Sequence, residues 1–174
     1  LVQDESSTTE ATQPITDTAA AVSFLRWLRP EGPWGLAAKH PDRNGFRFKS
    51  FIPGQEAEIT KWLGGLSSQN VYYHLNPTTA GLEKKAAKSD VTAVTFLHVD
   101  IDPRAGEPVD EERQRILGIL TDKLPEGVKP PTVIISSGAG YQALWALREP
   151  ITLDGSETQA AEAERYTRWL EQAF

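Results

Sequence analysis

The chain has 174 residues, 39% apolar and 24% charged, with a formal net charge of −6. That length can bury one proper core, and the absence of cysteine excludes disulfides, thiolate zinc sites and thiol nucleophiles. The acidic balance argues against a surface that grips duplex DNA through many phosphate contacts, and no apolar run reaches the roughly 20 residues of a membrane-crossing helix. The N-terminus lacks the basic start and apolar middle of a signal peptide, so no membrane partner and a cytoplasmic location are expected. Methionine is absent and the chain opens on Leu1, which reads as a piece of a longer product.

Residues 1–16, rich in Ser, Thr, Glu and Gln with little to bury, are expected to be disordered, and 17–174 to form the folded domain. Asp17 is placed to cap a helix through Leu28, with Val22, Leu25 and Leu28 on one side and Pro30 as its stop. Trp34 to Lys39 and Phe46 to Ile52 read as strands of a hairpin around the turn-rich Pro41-Asp42-Arg43-Asn44-Gly45. A helix over 55–63 follows, ended by Gly64-Gly65. Val71 to Leu75 reads as a third strand, and a short helix carrying Lys84, Lys85 and Lys88 is expected to lead into the apolar strand from Val91. Over Val109 to Leu124, Ile116, Leu117, Leu120 and Leu124 recur at helical spacing, with acids at the start and Lys123 near the end as the helix dipole favours. Thr132 to Ser136 and Tyr141 to Leu147 read as strands, and a last helix starts near Ser156. The succession predicts an α+β fold of mixed β-sheets flanked by helices, with no internal repeat.

Two constellations carry chemistry. Asp100 and Asp102 end the apolar run in His98-Val99-Asp100-Ile101-Asp102. In a strand, side chains at i and i+2 share a face, so the two carboxylates repel unless a hard cation such as Mg2+ or Mn2+ lies between them. The same pair also fits a strand ending in a solvated acidic turn before Pro103. The second constellation is Ser136-Ser137-Gly138-Ala139-Gly140-Tyr141-Gln142. Its glycines permit a tight reversal that either simply closes a hairpin or leaves amides open to an anion. Gln142, on the strand beside the turn, has an amide able to donate to a phosphate oxygen.

The acidic strand end, followed about thirty residues later by Ser-Gly-Ala-Gly-Tyr-Gln, resembles the archaeo-eukaryotic primase superfamily. The likeness is to the primase-polymerase domains of phages, plasmids and integrated elements, the RepB-like primase type. Asn70-Val71-Tyr72-Tyr73 resembles the Asn-x-Tyr strand ahead of the acidic motif, and the similarity spans about Trp34 to Phe174. The resemblance implies a primase catalytic core with an RRM-like unit and two-metal nucleotidyl transfer. In it, Asp100 and Asp102 are the catalytic and metal-binding residues, with Mg2+ or Mn2+ as cofactor. It also implies that Ser137, Gly138, Gly140 and Gln142 contact the triphosphate, that Asn70 and Tyr73 lie near the sugar, and that Lys85 or Arg104 offsets phosphate charge. The implied partners are nucleoside triphosphates, a single-stranded DNA template and a helicase domain or protein.

The sequence departs from the family at two points. Gln142 stands where most members carry histidine, which removes a titrating group. No third acidic motif follows Ser156, so the chain is expected to be the front part of a catalytic domain, truncated at its C-terminus. A non-catalytic module binding single-stranded nucleic acid or a replication partner is the alternative. A nicking initiator lacks its histidine pair, since His40, His74 and His98 are not spaced as one. A manganese glycosyltransferase would leave the Gly-x-Gly-Tyr-Gln strand unexplained.

Overall fold

The computed structural model describes residues 17–174, and the disorder expected over 1–16 lies outside them. Among these residues the fold is α+β: four α-helices and two three-stranded antiparallel sheets. Helix α1 (Thr18–Leu28) begins where Asp17 Oδ1 accepts from the Ala20 amide at 2.9 Å, satisfying one of the free amides of the first turn. Strands β1 (Trp34–Lys39) and β2 (Arg47–Phe51) form the expected hairpin, α2 (Glu56–Gly64) follows, and β3 (Asn70–Tyr73) pairs with the other side of β1. The first sheet therefore has the order β2-β1-β3. Trp34, Leu36, Ala38 and Phe51 share its inner face and pack against Val22 and Leu25 of α1 and Ile59 and Leu63 of α2. Full burial of side chains of this size stabilises by about 1.5–3 kcal/mol each.

The second sheet contains β4 (Ala93–Ile101), β5 (Val133–Ser136) and β6 (Tyr141–Thr152) in the order β4-β6-β5. One face is covered by α3 (Val109–Thr121), through Ile116 and Leu120 against Ala143, Ile101 and Ile134. On the same face Leu97 and Leu147 join Ala163 of α4 (Glu157–Ala173). The opposite face turns toward the first sheet: Phe96 and Leu144 meet Leu28 and Phe24 of α1, together with Tyr73 of β3. No helix among the described residues is long and apolar enough to cross a membrane.

Four local expectations are corrected. The third strand ends at Tyr73 instead of Leu75, although the His74 amide still reaches the Gly35 carbonyl at 2.8 Å. The segment with Lys84, Lys85 and Lys88 is not an α-helix. It is a loop closed on itself by the Thr78–Val91 bridge, turned by Gly81 at φ +74°, with a 3-10 turn only at Lys88–Asp90. Helix α3 stops at Thr121, where the Asp122 and Lys123 amides share the Gly118 carbonyl ahead of Pro125. Strand β6 runs five residues past Leu147, because the far half of β4 supplies it with a partner through Ala93–Thr152 and Val94–Ile151.

Candidate active site

A cleft of about 610 Å³ opens between the free edge of β3 and the inward face of the second sheet. Asn70, Tyr73, Asp100, Asp102, Ser137 and Gln142 all line it, so six residues singled out from separate stretches of sequence meet in one cavity. The pairing of β4 with β6 explains much of this. Asp100 sits directly across from Gln142, and His98 across from Leu144, and residues opposite each other in an antiparallel pair point to the same side. Asp102, two residues past Asp100, follows the same alternation just beyond the strand end. Asp100 and Asp102 are both exposed to the cleft solvent, whereas Gln142 is half-buried.

Gln142 is held from across the cleft. The Tyr73 hydroxyl donates to its Oε1 at 3.1 Å, a bond joining residues 69 apart. This occupies the amide oxygen and leaves the Nε2 hydrogens as the group's free donors. Burial, and secondarily the negative charge of Asp100, pushes the Tyr73 phenol up to about 12. Tyr73 therefore remains a protonated donor throughout the neutral range. Its neighbour His74 is pushed the other way, below the ordinary histidine value, by burial and by the nearby charges of Arg29 and Lys85.

The glycine turn closes a hairpin between β5 and β6, and its first amide is not open to a ligand. The Ser137 amide is spent on the Gly140 carbonyl at 3.1 Å, so Ser137 offers the cleft its side chain and not its N–H. Gly138 adopts φ +106° and does not line the cleft, and its carbonyl accepts from Arg113. Gly140 is buried against β4: a Cβ there would collide with the Ile101 carbonyl oxygen and sit 3.1 Å from Asp102 Cα. Its missing side chain is what lets the turn hold the strand end that carries Asp102.

Neither basic residue expected to offset phosphate charge lines the cleft. Arg104 grips Glu112, with its guanidinium at 2.6 Å and 2.9 Å from Oε1 and its amide at 2.9 Å from Oε2. Lys85 lies over the Phe46 ring, 5.5 Å from its centroid. Among the described residues that line the cleft there is no Lys or Arg beside Asp100 and Asp102.

Two supporting residues escape a reading of the sequence. Glu112, in the acid-rich opening of α3, looks like part of a solvated face, yet it is only 2% exposed. Arg115 and Arg104 hold its carboxyl far below the usual carboxylate range, and this triad anchors the loop that leaves Asp102. The cue was present in sequence, because Arg115 stands three residues on, within helical reach. Arg113 latches the glycine turn by donating to Ser136 Oγ and the Tyr141 hydroxyl, each at 3.2 Å, with its guanidinium 4.9 Å above the Tyr141 ring. Nothing in the spacing of residues 113 and 136–141 announces that contact.

The donor set fits a hard cation. Two carboxylates from alternate strand positions supply anionic oxygen, and among the described residues no Lys or Arg lines the wall to compete for them. Among the described residues no group of three or more His, Asp or Glu is arranged to hold a metal ion. The protein's share would thus be two carboxylates, with water and phosphate oxygens completing the shell, as is usual for Mg2+. Compared with protein-family models, with curated proteins and with solved structures, the chain has no match.

Proposed function

We propose that the chain is the nucleotide-binding part of a metal-dependent nucleotidyltransferase of primase-polymerase type, adding nucleotides to a primer or starting strands in mobile-element replication. The observation that carries this reading is the pairing, in one cleft, of two uncompensated carboxylates with a tethered amide whose hydrogens are free. A bare polyanion would be repelled by Asp100 and Asp102, whereas a nucleoside triphosphate complexed with Mg2+ or Mn2+ satisfies both parts of the wall. The second sheet adds support. Its β-α-β-β-α succession, ordered first-third-second with its first two strands parallel to each other, is that of a split β-α-β unit through its second helix. The succession supports the RRM-like unit that the sequence resemblance implies.

Asp100 and Asp102 would hold the cations. When bound, they offset the charge of the triphosphate and lower the pKa of the attacking hydroxyl. Gln142 donates through Nε2 to a phosphate oxygen, and Tyr73 fixes the direction of that amide. The Ser137 hydroxyl is a second neutral donor at the turn, and Asn70, on the free edge of β3, stands where the sugar would lie. Neither Gln142 nor Ser137 titrates near neutrality, so these residues orient and stabilise and carry no proton. The resemblance brings a single-stranded DNA template and a helicase as partners of the same reading.

The test is calorimetric titration of a nucleoside triphosphate with Mn2+ into the wild type, Asp100→Asn and Asp102→Asn. Binding should require Mn2+ and weaken in both variants by more than the roughly 10- to 100-fold typical of losing an outer-shell contact. Binding of equal strength without the metal or in the variants would reject the reading. A non-catalytic single-strand binding module is the second reading, favoured by the exposed aromatic rings of the first sheet.

A further inference from the structure

Among the described residues no helix lies over the outer face of the first sheet, and its composition is unlike the rest of the molecule. Ala37 of β1 pairs with Phe48 of β2 and with Tyr72 of β3, and Lys39 pairs with Asn70, so these side chains share the face opposite the core. The central strand contributes Gly35, Ala37 and, at its end, Lys39 there, so its first two positions give a low floor between two aromatic rims. Gly35 is confined by this arrangement, since a Cβ would lie 3.1 Å from the Phe48 ring and 3.2 Å from His74. Phe46 and Tyr72 are 48% and 47% exposed, with ring centroids 6.3 Å apart. Lys39 and Lys85 each place Nζ 5.5 Å from the Phe46 ring centroid.

The charge of this edge runs against that of the chain. Residues 39–49 hold Lys39, Arg43, Arg47 and Lys49 against the single acid Asp42, in a protein of net charge −6. Among the described residues Lys49 alone of these cations is ion-paired, to Glu58 at 3.6 Å; Lys39, Arg43, Arg47 and Lys85 are in no ion pair. Arg43 lines a further hollow of about 310 Å³ with His40, Phe46 and Gln69, whereas Arg47, opposite Ala38, and Lys49, opposite Leu36, fall on the core side of the sheet beside α2. At the other end, Asn70 and Tyr72 belong both to this face and to the wall of the acidic cleft.

We infer that the outer face of the first sheet binds single-stranded nucleic acid, with bases stacked on Phe46 and Tyr72. Lys39, Lys85 and Arg43 carry the phosphates along the hairpin, and the strand is directed past Asn70 toward the cleft. Flat apolar rings interleaved with unpaired cations are what an unpaired, stacked strand requires, and every base has a face to stack whatever its sequence. A duplex hides those faces in its base stack. The inference uses no metal, so it stands apart from the nucleotidyltransferase reading.

The experiment is fluorescence anisotropy of a labelled oligothymidylate with the whole chain in EDTA. The wild type should bind the single strand and prefer it to the matching duplex. Phe46→Ala and Tyr72→Ala should each weaken binding by about 5- to 100-fold, while Tyr72→Phe, which keeps the ring, should match the wild type. Lys39→Gln with Lys85→Gln should flatten the dependence of log affinity on log salt by about 1.4, at about 0.7 per lost phosphate contact. Alanine variants within about twofold of the wild type, against the scale of one lost stack, or a duplex bound as tightly as the single strand, would overturn it. Strand binding in EDTA without metal-dependent nucleotide binding would remove the nucleotidyltransferase reading alone, and the converse would remove this one alone.

Discussion

Tyr73 shows how one side chain can set both the chemistry and the pH response of the cleft. Its hydroxyl orients Gln142, and its pKa stands at about 12 because burial and then the charge of Asp100 disfavour the phenolate. The unfolded chain would ionise this group near pH 10, so above that pH the unfolded state sheds a proton that the folded state keeps. The stabilisation from the buried phenol is therefore whole below about pH 10 and is lost as pH rises from about 10 to about 12. Urea midpoints measured across that window should fall more steeply for the wild type than for Tyr73→Phe. Parallel curves would mean that Tyr73 titrates as an exposed phenol. The family resemblance implies a place near the sugar for Tyr73, and strand packing accounts for it nearly as well. Its actual partner lies 69 residues away on the other sheet, a distance that no local pattern spans.

At the scale of elements, the two glycines of the β5–β6 turn look alike in sequence and differ in physical purpose. Gly138 has the backbone angle of a left-handed turn, φ +106°, with open space around it. Gly140 has no such angle but abuts the backbone of Ile101 and Asp102. Gly138→Ala should cost about 1–3 kcal/mol through backbone strain and leave the end of β4 where it is. Gly140→Ala should cost at least as much, on the about 1–3 kcal/mol scale of overpacking, and should also push β4 away from β6. Thermal unfolding gives the costs, and NMR shifts of the Ile101 and Asp102 amides distinguish the causes. Shifts in Gly138→Ala as large as those in Gly140→Ala would reject the distinction. The glycine pattern identified the turn correctly, yet an amide cradle and a close approach use the same residue. Only the position of β4 separates them. Arg104 is a parallel case: a basic residue just past Asp102 reads as a phosphate ligand until Glu112 is found buried beside it.

Across the whole molecule, periodicity and caps revealed the α+β class and most of the elements, because α1, α3 and the apolar strands bury regular stripes. How the two sheets meet was not legible, since that rests on a few long-range bonds from an irregular segment. Asn76, just after β3, is central among them. Its Oδ1 accepts from the Thr95 and Phe96 amides at 2.8 Å and 3.0 Å, and its Nδ2 donates to the Phe96 carbonyl at 3.1 Å. These bonds fall where β4 loses register with β6 between Val94 and Phe96, so Asn76 supplies partners that the irregular ladder does not. The Tyr73–Gln142 bond is a second tie, and Arg29, donating to the Leu75 carbonyl at 2.8 Å, fixes the segment that carries Asn76 to the end of α1. Removing Asn76 leaves two amides and a carbonyl short of partners in a half-buried setting. Asn76→Ala should therefore cost about 2–3 kcal/mol, or about 4–12 °C in melting temperature for a chain of this size. The same variant should weaken metal-dependent nucleotide binding, although Asn76 does not line the cleft, because the two walls are carried by different sheets. A variant that melts with the wild type would show that the sheets are held by the apolar contacts of Phe24, Leu28, Phe96 and Leu144 alone. One that melts early but binds nucleotide normally would show that the cleft does not depend on how the sheets are joined.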